Sequence, residues 1–198
     1  MDNINELVID GNEIFDFISY LDEFREVKDI EFRNCEFSKD EIIFLANKEE
    51  YNRIGFINCS FEDEKLIQKI KTKSLSLSDN KIIDYEFVYD MVFLENLTIV
   101  GGKVDVLKLN FLKKLEYLRI SHSHVDKIEM IELYNLKYLF IDNTNIKDLS
   151  FIKRIPKLEL LSISDDQKSY NKDLIKEISK YIKIIGDSII EMEVIQDE

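Results

Sequence analysis

An apolar pattern recurs along the chain every 21 to 24 residues, and no other feature of the sequence constrains the fold as strongly. Each copy has two apolar residues separated by one position, then an Asn, Cys or small residue and a further apolar residue. The copies start at Leu7, Ile30, Ile54, Leu75, Leu97, Leu118, Leu139 and Leu161, and a ninth, terminal copy is predicted to start at Ile182. A single copy cannot bury its own apolar face, so the copies must stack on one another.

The alternation within each copy predicts a short strand with one buried and one exposed face. Parallel stacking of these strands would place the apolar residues in one continuous core. The residues that we therefore expect to be buried include Ile30, Phe32, Ile54, Phe56, Leu118, Ile120, Leu139 and Ile141. The residues between them should face outward from the sheet.

This pattern resembles the leucine-rich repeat, L-x-x-L-x-L-x-x-N/C-x-L. The resemblance covers residues 4 to about 166 well and the remainder loosely, and the stretch 145–152 is similar to the internalin-type repeat of bacteria. It implies an α/β solenoid of eight or nine repeats with a parallel concave sheet and helices or short turns on the convex side. We expect one domain over residues 1–198, with 167–198 as a C-terminal capping segment.

The segments between the strands differ along the chain. Ser38 and Glu41 form a capping-box signature ahead of an apolar run, which predicts a helix there. Ser60 with Asp63 gives a similar signal, and helices are predicted over 13–23 and 62–71. Later segments such as 125–135 should hold turns or short 3₁₀ pieces, and 171–181 should form a closing helix.

Residues that could carry chemistry have simpler explanations. Cys35 and Cys59 occupy the Asn/Cys position of adjacent copies, where the resemblance implies a buried structural thiol. His122 and His124 are the only histidines, and two ligands without a third are a weak metal signal. No nucleotide-binding, nucleophile or metalloprotease motif is present. We therefore expect no enzyme activity, no cofactor and no metal.

The charge is concentrated at the beginning of the chain. The net charge is −13, and residues 1–65 contain 18 acidic and 7 basic side chains. An acidic chain lacks the basic footprint that direct nucleic-acid binding requires. The excess could keep a small solenoid soluble, or it could select a partner with a basic surface.

The chain is expected to work in the cytoplasm. No secretory signal precedes the first copy, and no apolar run approaches the roughly 20 residues that span a bilayer. Two cysteines without metal-like spacing fit a reducing compartment. Membrane association is not expected, and the sequence leaves the oligomeric state open.

The outward strand positions form three zones, of which the two at the ends are candidate partner-binding surfaces. Asp10, Asp29 and Glu31 give an acidic zone in the first copies, and small polar residues follow in the middle. The candidates in the later copies are Tyr117, Arg119, Tyr138 and Phe140. Tyrosine and arginine are enriched at binding hot spots, which favours these four as a binding patch. Incidental surface aromatics, or cover by the C-terminal segment, are the alternatives.

Two functions follow from these surfaces. The leading hypothesis is a non-catalytic, cytoplasmic protein-binding module of bacterial or phage origin that uses the concave face. The alternative is an acidic inhibitor, of the phage counter-defence type, that blocks a basic nucleic-acid-binding surface of a partner protein. That alternative rests on the acidic zone and on analogy.

Overall fold

The computed structural model describes residues 6–12, 19, 22, 26–82, 85–126 and 131–186. Within these ranges, nine parallel strands form one sheet in chain order, so each strand pairs with the strands of the preceding and following repeats. The strands are β1 (Glu6–Asp10), β2 (Asp29–Arg33), β4 (Tyr51–Ile57), β6 (Thr72–Ser78), β7 (Asn96–Val100), β9 (Tyr117–Ser121), β11 (Tyr138–Phe140), β12 (Leu160–Ser162) and β13 (Lys183–Ile185). This order is that of the predicted leucine-rich-repeat solenoid.

Two further strand pairs lie beyond the turns that follow the main sheet. One joins β3 (Glu36–Phe37) to β5 (Ser60–Phe61), and the other joins β8 (Lys103–Asp105) to β10 (His124–Asp126). Both pairs are parallel, as stacking of equivalent segments from neighbouring repeats requires.

The register of the main sheet confirms the repeat assignment for the first eight copies. The leading apolar residues pair in one row from Leu7 through Leu161. All eight residues that the pattern placed in the core are buried. A strand alternates its side chains with a period of two, so a correct register fixes which residues reach the core.

The ninth copy was predicted two residues too early. Leu161 pairs with Ile184, whereas the sequence pattern had aligned it with Ile182. The last repeat is longer because its outer segment holds two helices, α3 (Asp165–Tyr170) and α4 (Lys172–Ile178). The shift is an even number of residues and therefore leaves the buried and exposed faces of the strand unchanged.

The outer helices of two neighbouring repeats differ in type. The 24-residue repeat between Ile30 and Ile54 contains α1 (Lys39–Ala46), and Ser38 forms the predicted capping box with Glu41. The 21-residue repeat that follows contains a 3₁₀ helix, Glu64–Lys69, where an α-helix was expected. A 3₁₀ helix rises about 2.0 Å per residue against 1.5 Å for an α-helix, so it spans the outer side with fewer residues.

The remaining outer segments are short. The 3₁₀ helices Glu86–Asp90 and Ser150–Arg154 occupy two 22-residue repeats, and α2 (Val106–Leu109) is a single turn. Asp63 caps the 3₁₀ helix by accepting from the Lys65 amide, while Ser60 lies in β5 and does not cap it. Most of the helix predicted over 13–23 lies outside the described residues, as does 127–130 of the predicted turn segment.

The core of the first repeats is aromatic. Phe32 stacks on Phe56 with ring centroids 5.4 Å apart, and Phe37 stacks on Phe61 at the same distance. Edge-to-face contacts at 5.2–5.3 Å join the two stacks. These rings come from neighbouring repeats and fix how the repeats stack on each other.

The turn after most strands uses one left-handed residue. Its φ angle lies between 51° and 54° at Asn34, Asn58, Asp79, His122 and Asn143. Asn and Asp tolerate this conformation better than other side chains, which explains their frequency at this position. His122 is therefore a turn residue of the fold.

Polar side chains inside the turns bond the backbone of the preceding repeat, as the Asn/Cys position predicts. Asn80 donates to the Phe56 carbonyl at 2.8 Å and accepts from the Cys59 amide, also at 2.8 Å. The Cys59 thiol lies 3.6 Å from the Phe32 carbonyl oxygen of the preceding repeat. These bonds satisfy backbone groups that the turn would otherwise bury unpaired.

In three repeats the Asn/Cys position differs from what the sequence pattern predicts. Asn12 is exposed and bonds Asp10 instead of the turn of a neighbouring repeat. Asp166, assigned to the row, is an exposed residue of α3, and the adjacent Gln167 donates to the Ile141 carbonyl at 3.2 Å instead. At Gly102 the ring of Tyr85 fills the place of the missing side chain, and its hydroxyl donates to the Gly101 carbonyl at 3.3 Å.

Candidate binding face

The exposed side of the nine-stranded sheet is a continuous surface, which we call the open face. Its side chains are the strand residues that alternate with the core, such as Tyr117 and Arg119 on either side of buried Leu118. The predicted core positions are buried in every strand from β1 to β12, and most of the alternate positions are partly or fully exposed. Gly55, Ser121 and Ser162 are buried although they alternate with the core. The open face therefore presents one row of side chains per strand to a partner.

The aromatic patch consists of Tyr117, Arg119, Tyr138 and Phe140, on the adjacent strands β9 and β11. Tyr117 lies opposite Tyr138 and Arg119 lies opposite Phe140 in the strand register. The rings of Tyr117 and Phe140 are in contact, with centroids 5.1 Å apart and a tilt of 36°. The sequence had predicted that these four residues lie together, and the register brings them together.

Each residue of the aromatic patch is partly exposed. Burial raises the pKa of the Tyr117 phenol, so the group stays neutral through the physiological range. The Tyr138 hydroxyl lies 3.5 Å from a carboxylate oxygen of Glu159. The patch thus offers three partly exposed rings, of which Tyr117 and Tyr138 carry a polar hydroxyl, the kind of surface that Tyr supplies at protein interfaces.

The first repeats carry a network of opposite charges on the open face, which we call the charged end. The Arg33 guanidinium donates from Nε to Glu31 at 2.7 Å. Arg53 pairs with Glu6 and lies 4.0 Å from the second carboxylate oxygen of Glu31. Both arginines lie on the same face as the predicted acidic zone, so this zone is not a free acidic surface.

The other two predicted acidic residues of the charged end are also bonded. Asp10 accepts from the Asn12 amide at 3.0 Å and from the Asn34 side chain at 3.2 Å, and these bonds lower the pKa of its carboxyl. Asp29 accepts from the Asn52 side chain at 3.2 Å. A partner would have to replace these bonds to engage the carboxylates, which limits their value as a docking surface.

The charged end and the aromatic patch are separate surfaces. Arg53 of the charged end lies on β4, and two strands, β6 and β7, lie between β4 and β9 in the sheet. At about 4.8 Å per strand, β4 and β9 are roughly 14 Å apart. The intervening face presents small polar side chains, among them Ser74, Ser76 and Thr98. The predicted partner-binding residues therefore form two groups.

Three polar residues at the end of the aromatic patch are buried, which the sequence did not indicate. They are Ser121, Asp142 and Ser162. Arg119 donates from Nε to the Ser121 hydroxyl at 3.1 Å, and the Ser162 hydroxyl lies 3.4 Å from Asp142 Oδ1. The alternation predicts only that these side chains point to the open face and does not predict their burial.

Further exposed aromatics lie outside the repeat pattern. Phe93 is 69% exposed and Phe111 is 65% exposed, both in segments that precede a strand of the sheet. Lys114 lies over the Phe93 ring at 5.0 Å, and Phe111 lines an open groove of about 390 Å³ on the outer side. Sequence reasoning missed both because it tested only strand positions for outward-facing rings.

The cysteines and histidines have the structural roles that the sequence predicts. Cys35 and Cys59 are free and buried in adjacent repeats. The neighbouring Cys59 thiol and burial raise the pKa of the Cys35 thiol. His124 is exposed beside Asp126 at 3.1 Å. Across the described ranges, no group of three or more His, Cys, Asp or Glu side chains could hold a metal ion, and no helix there has the length and apolar character of a membrane span.

Comparison with known proteins supports the fold. No protein-family model and no curated protein sequence matches the chain. Among solved structures, it is similar to an internalin from Listeria monocytogenes, with a TM-score of 0.62 and 18% identity over 82% of this chain and 51% of that one. It is also similar to internalin C2 of the same organism, with a TM-score of 0.54 and 17% identity over 75% of each chain.

These similarities confirm an internalin-like leucine-rich-repeat fold. The chain spans about half the length of the first internalin. Identity below one fifth is a likeness of fold, so the function of this chain must be argued from its own residues.

Proposed function

We propose that this protein is a non-catalytic binding module that holds a protein partner on its open, concave face, with the aromatic patch as the main contact. The observation that carries the proposal is the Tyr117–Phe140 ring pair, which is partly exposed above a core already filled by Leu118 and Leu139. The rings are not needed to fill the core, so their position on the face is explained by contact with something else.

The composition of the patch supports a protein partner. Tyrosine and arginine are the residues that most often carry binding energy at interfaces, and rigid aromatic rings lose little conformational entropy when a partner covers them. The parallel sheet holds Tyr117 and Phe140 in fixed positions. A preorganised patch binds more tightly than a mobile one with the same contacts.

A second candidate function is the acidic inhibitor of a basic, nucleic-acid-binding surface. The net charge of residues 1–65 favours it, because 18 acidic side chains face 7 basic ones in that part of the chain. The ion pairs of Glu31 with Arg33 and of Glu6 with Arg53 weigh against it. Those pairs offset two of the four carboxylates, Glu6 and Glu31, that β1 and β2 present on the open face.

We propose that the protein works in a reducing compartment such as the cytoplasm. The two buried thiols are free, although they lie in adjacent repeats and face each other across the stack. Oxidising compartments favour disulfides, and reducing ones keep such thiols unpaired.

The test compares two neighbouring residues on the same strand, Leu139 and Phe140. The partner is first captured from the source cell with the full chain and identified by mass spectrometry. Phe140→Ala should then weaken partner binding by about 2 kcal/mol or more, roughly thirtyfold, with little change in stability. Leu139→Ala should instead lower the unfolding free energy by about 2–5 kcal/mol, because it leaves a cavity.

The outcome separates a binding surface from a structural one. Affinity is measured by calorimetry and stability by chemical denaturation on the same preparations. A Phe140→Ala protein that binds its partner normally would rule out the aromatic patch as the main contact. One that loses as much stability as Leu139→Ala would show that Phe140 belongs to the core.

A further inference from the structure

Asp142 is a buried carboxylate with an unused oxygen on the open face. It follows Phe140 by two residues and is only 1% exposed. Its Oδ1 lies 3.4 Å from the Ser162 hydroxyl, which is a weak hydrogen bond at best. Its Oδ2 has no hydrogen-bond partner among the residues that the structure describes.

No described cation neutralises this carboxylate. Among the described residues, no basic side chain forms an ion pair with Asp142 within 4.0 Å. The arginine of the patch, Arg119, directs its Nε–H to Ser121. A buried carboxylate without donors is unfavourable, and native proteins rarely keep one unless a ligand, ion or partner supplies the missing donor.

The surroundings of Asp142 fit a long basic side chain. Phe140 lies about 7 Å away along the strand, since each residue of a strand advances about 3.3 Å. Phe140 and Tyr117 form a continuous aromatic surface at that distance. The alkyl stem of lysine or the guanidinium plane of arginine packs well on such rings, and the charged head can then reach a neighbouring carboxylate.

We propose that Asp142 is the anchor point for a lysine or arginine side chain of the protein partner. The stem of that side chain lies on Tyr117 and Phe140, and its head donates to Oδ2 of Asp142 once the side chains that cover this oxygen have moved aside. A charged donor is the strongest match for a desolvated carboxylate oxygen. This inference rests on the proposed function, because the partner must cover the aromatic patch to reach Asp142.

The experiment uses random 12-residue peptides displayed on phage and panned on the immobilised full chain. The peptides that bind should be enriched in lysine or arginine next to an aromatic or aliphatic residue. Asp142→Asn keeps the shape of the side chain and removes its charge, and it should weaken the binding of those peptides at least tenfold. Replacing the basic residue of a peptide by glutamine should cause the same loss on the unmodified protein.

Three controls isolate the contact. Asp166→Asn removes an exposed carboxylate of the next repeat and should leave peptide affinity unchanged, which separates a specific contact from net charge. The double change, Asp142→Asn with the glutamine peptide, should lose no more than either single change, because both remove one interaction. Arg119→Gln tests whether Asp142 acts only by positioning Arg119, in which case the two protein variants would show equal and non-additive losses.

The outcomes distinguish this inference from the proposed function. If Phe140→Ala weakens the peptides and Asp142→Asn does not, the aromatic patch binds protein and the anchor is wrong. If neither variant matters, the open face is not the binding surface. Panning that returns no binders, or binders without basic residues, overturns the anchor. The glutamine peptide gives the answer on unmodified protein even if Asp142→Asn fails to fold.

Discussion

At the two ends of this solenoid, the strands place aromatic rings on opposite sides of the same sheet. In the first repeats, Phe32 and Phe56 stack inside, under a face of paired charges. In the later repeats, Leu118 and Leu139 fill the core, and Tyr117 and Phe140 stand on the open face. The backbone is the same parallel strand in both regions, so the difference lies in which alternate positions carry the rings.

This difference assigns the aromatic rings of the first strands to the stability of the fold and those of the later strands to partner binding. A ring in the core contributes to folding through burial and close packing, and its loss leaves a cavity. A ring on the open face keeps part of its surface in water until a partner covers it. The first repeats therefore have aromatic residues that hold the fold, and the later repeats have aromatic residues available for contact.

The largest expected effect tests this separation directly. Phe56→Ala should lower the unfolding free energy by about 3–5 kcal/mol, because the ring is fully buried among three other phenylalanines. Phe140→Ala, the matched change on the open face, should cost about 1 kcal/mol or less. Urea denaturation of both variants measures the difference. Equal losses would mean that the rings at both ends are structural.

A smaller loss of stability is expected in the middle of the solenoid, where the Tyr85 ring packs against the turn at Gly102. Gly102→Ala should cost roughly 2–4 kcal/mol, because Gly102 has a φ of 97° and an added Cβ would lie 2.6 Å from the Tyr85 ring. Gly55→Ala is the control, since its Cβ would lie at an ordinary 3.4 Å from Glu31. Thermal unfolding should show a lower melting temperature for the first variant alone. A normal melting temperature for Gly102→Ala would show that Tyr85 can move aside.

The smallest expected effect concerns the charged end. Glu31→Gln removes the partner of Arg33 and a neighbour of Arg53 on a partly exposed surface, and it should cost about 1 kcal/mol or less. The loss should shrink in high salt, where screening weakens the original pair. Denaturation at low and high ionic strength measures both quantities. If Glu31→Gln also weakens partner binding by more than about tenfold, the charged end is part of the interface and the acidic-inhibitor hypothesis gains support.

The sequence predicted the repeat and most of the register because both follow from local rules. A strand alternates its side chains with a period of two, so the spacing of Leu118 and Ile120 determines that Tyr117 and Arg119 face the other way. The capping box of Ser38 and Glu41 was also predictable from the sequence, since its two hydrogen bonds join residues three positions apart. The position of the aromatic patch was therefore predictable.

Contacts between repeats could not be predicted from the sequence in the same way. The ninth copy was misplaced because α3 and α4 lengthen the last repeat. The spacing of apolar residues does not show how many residues an outer helix adds to a repeat. The internal polar residue of that region is Gln167 and not Asp166, since the helix turns one side chain inward and the other outward.

By itself, then, the sequence determined a parallel solenoid, its core and the aromatic side of the later strands, because each depends on a period that is visible in a single repeat. The tertiary structure decided the pairing of Arg53 with Glu6, 47 residues apart, and the burial of Asp142 beside Ser162. Both depend on side chains from different repeats meeting at one point. Their rotamers and distances are set only when the strands have stacked, so no local pattern could predict them.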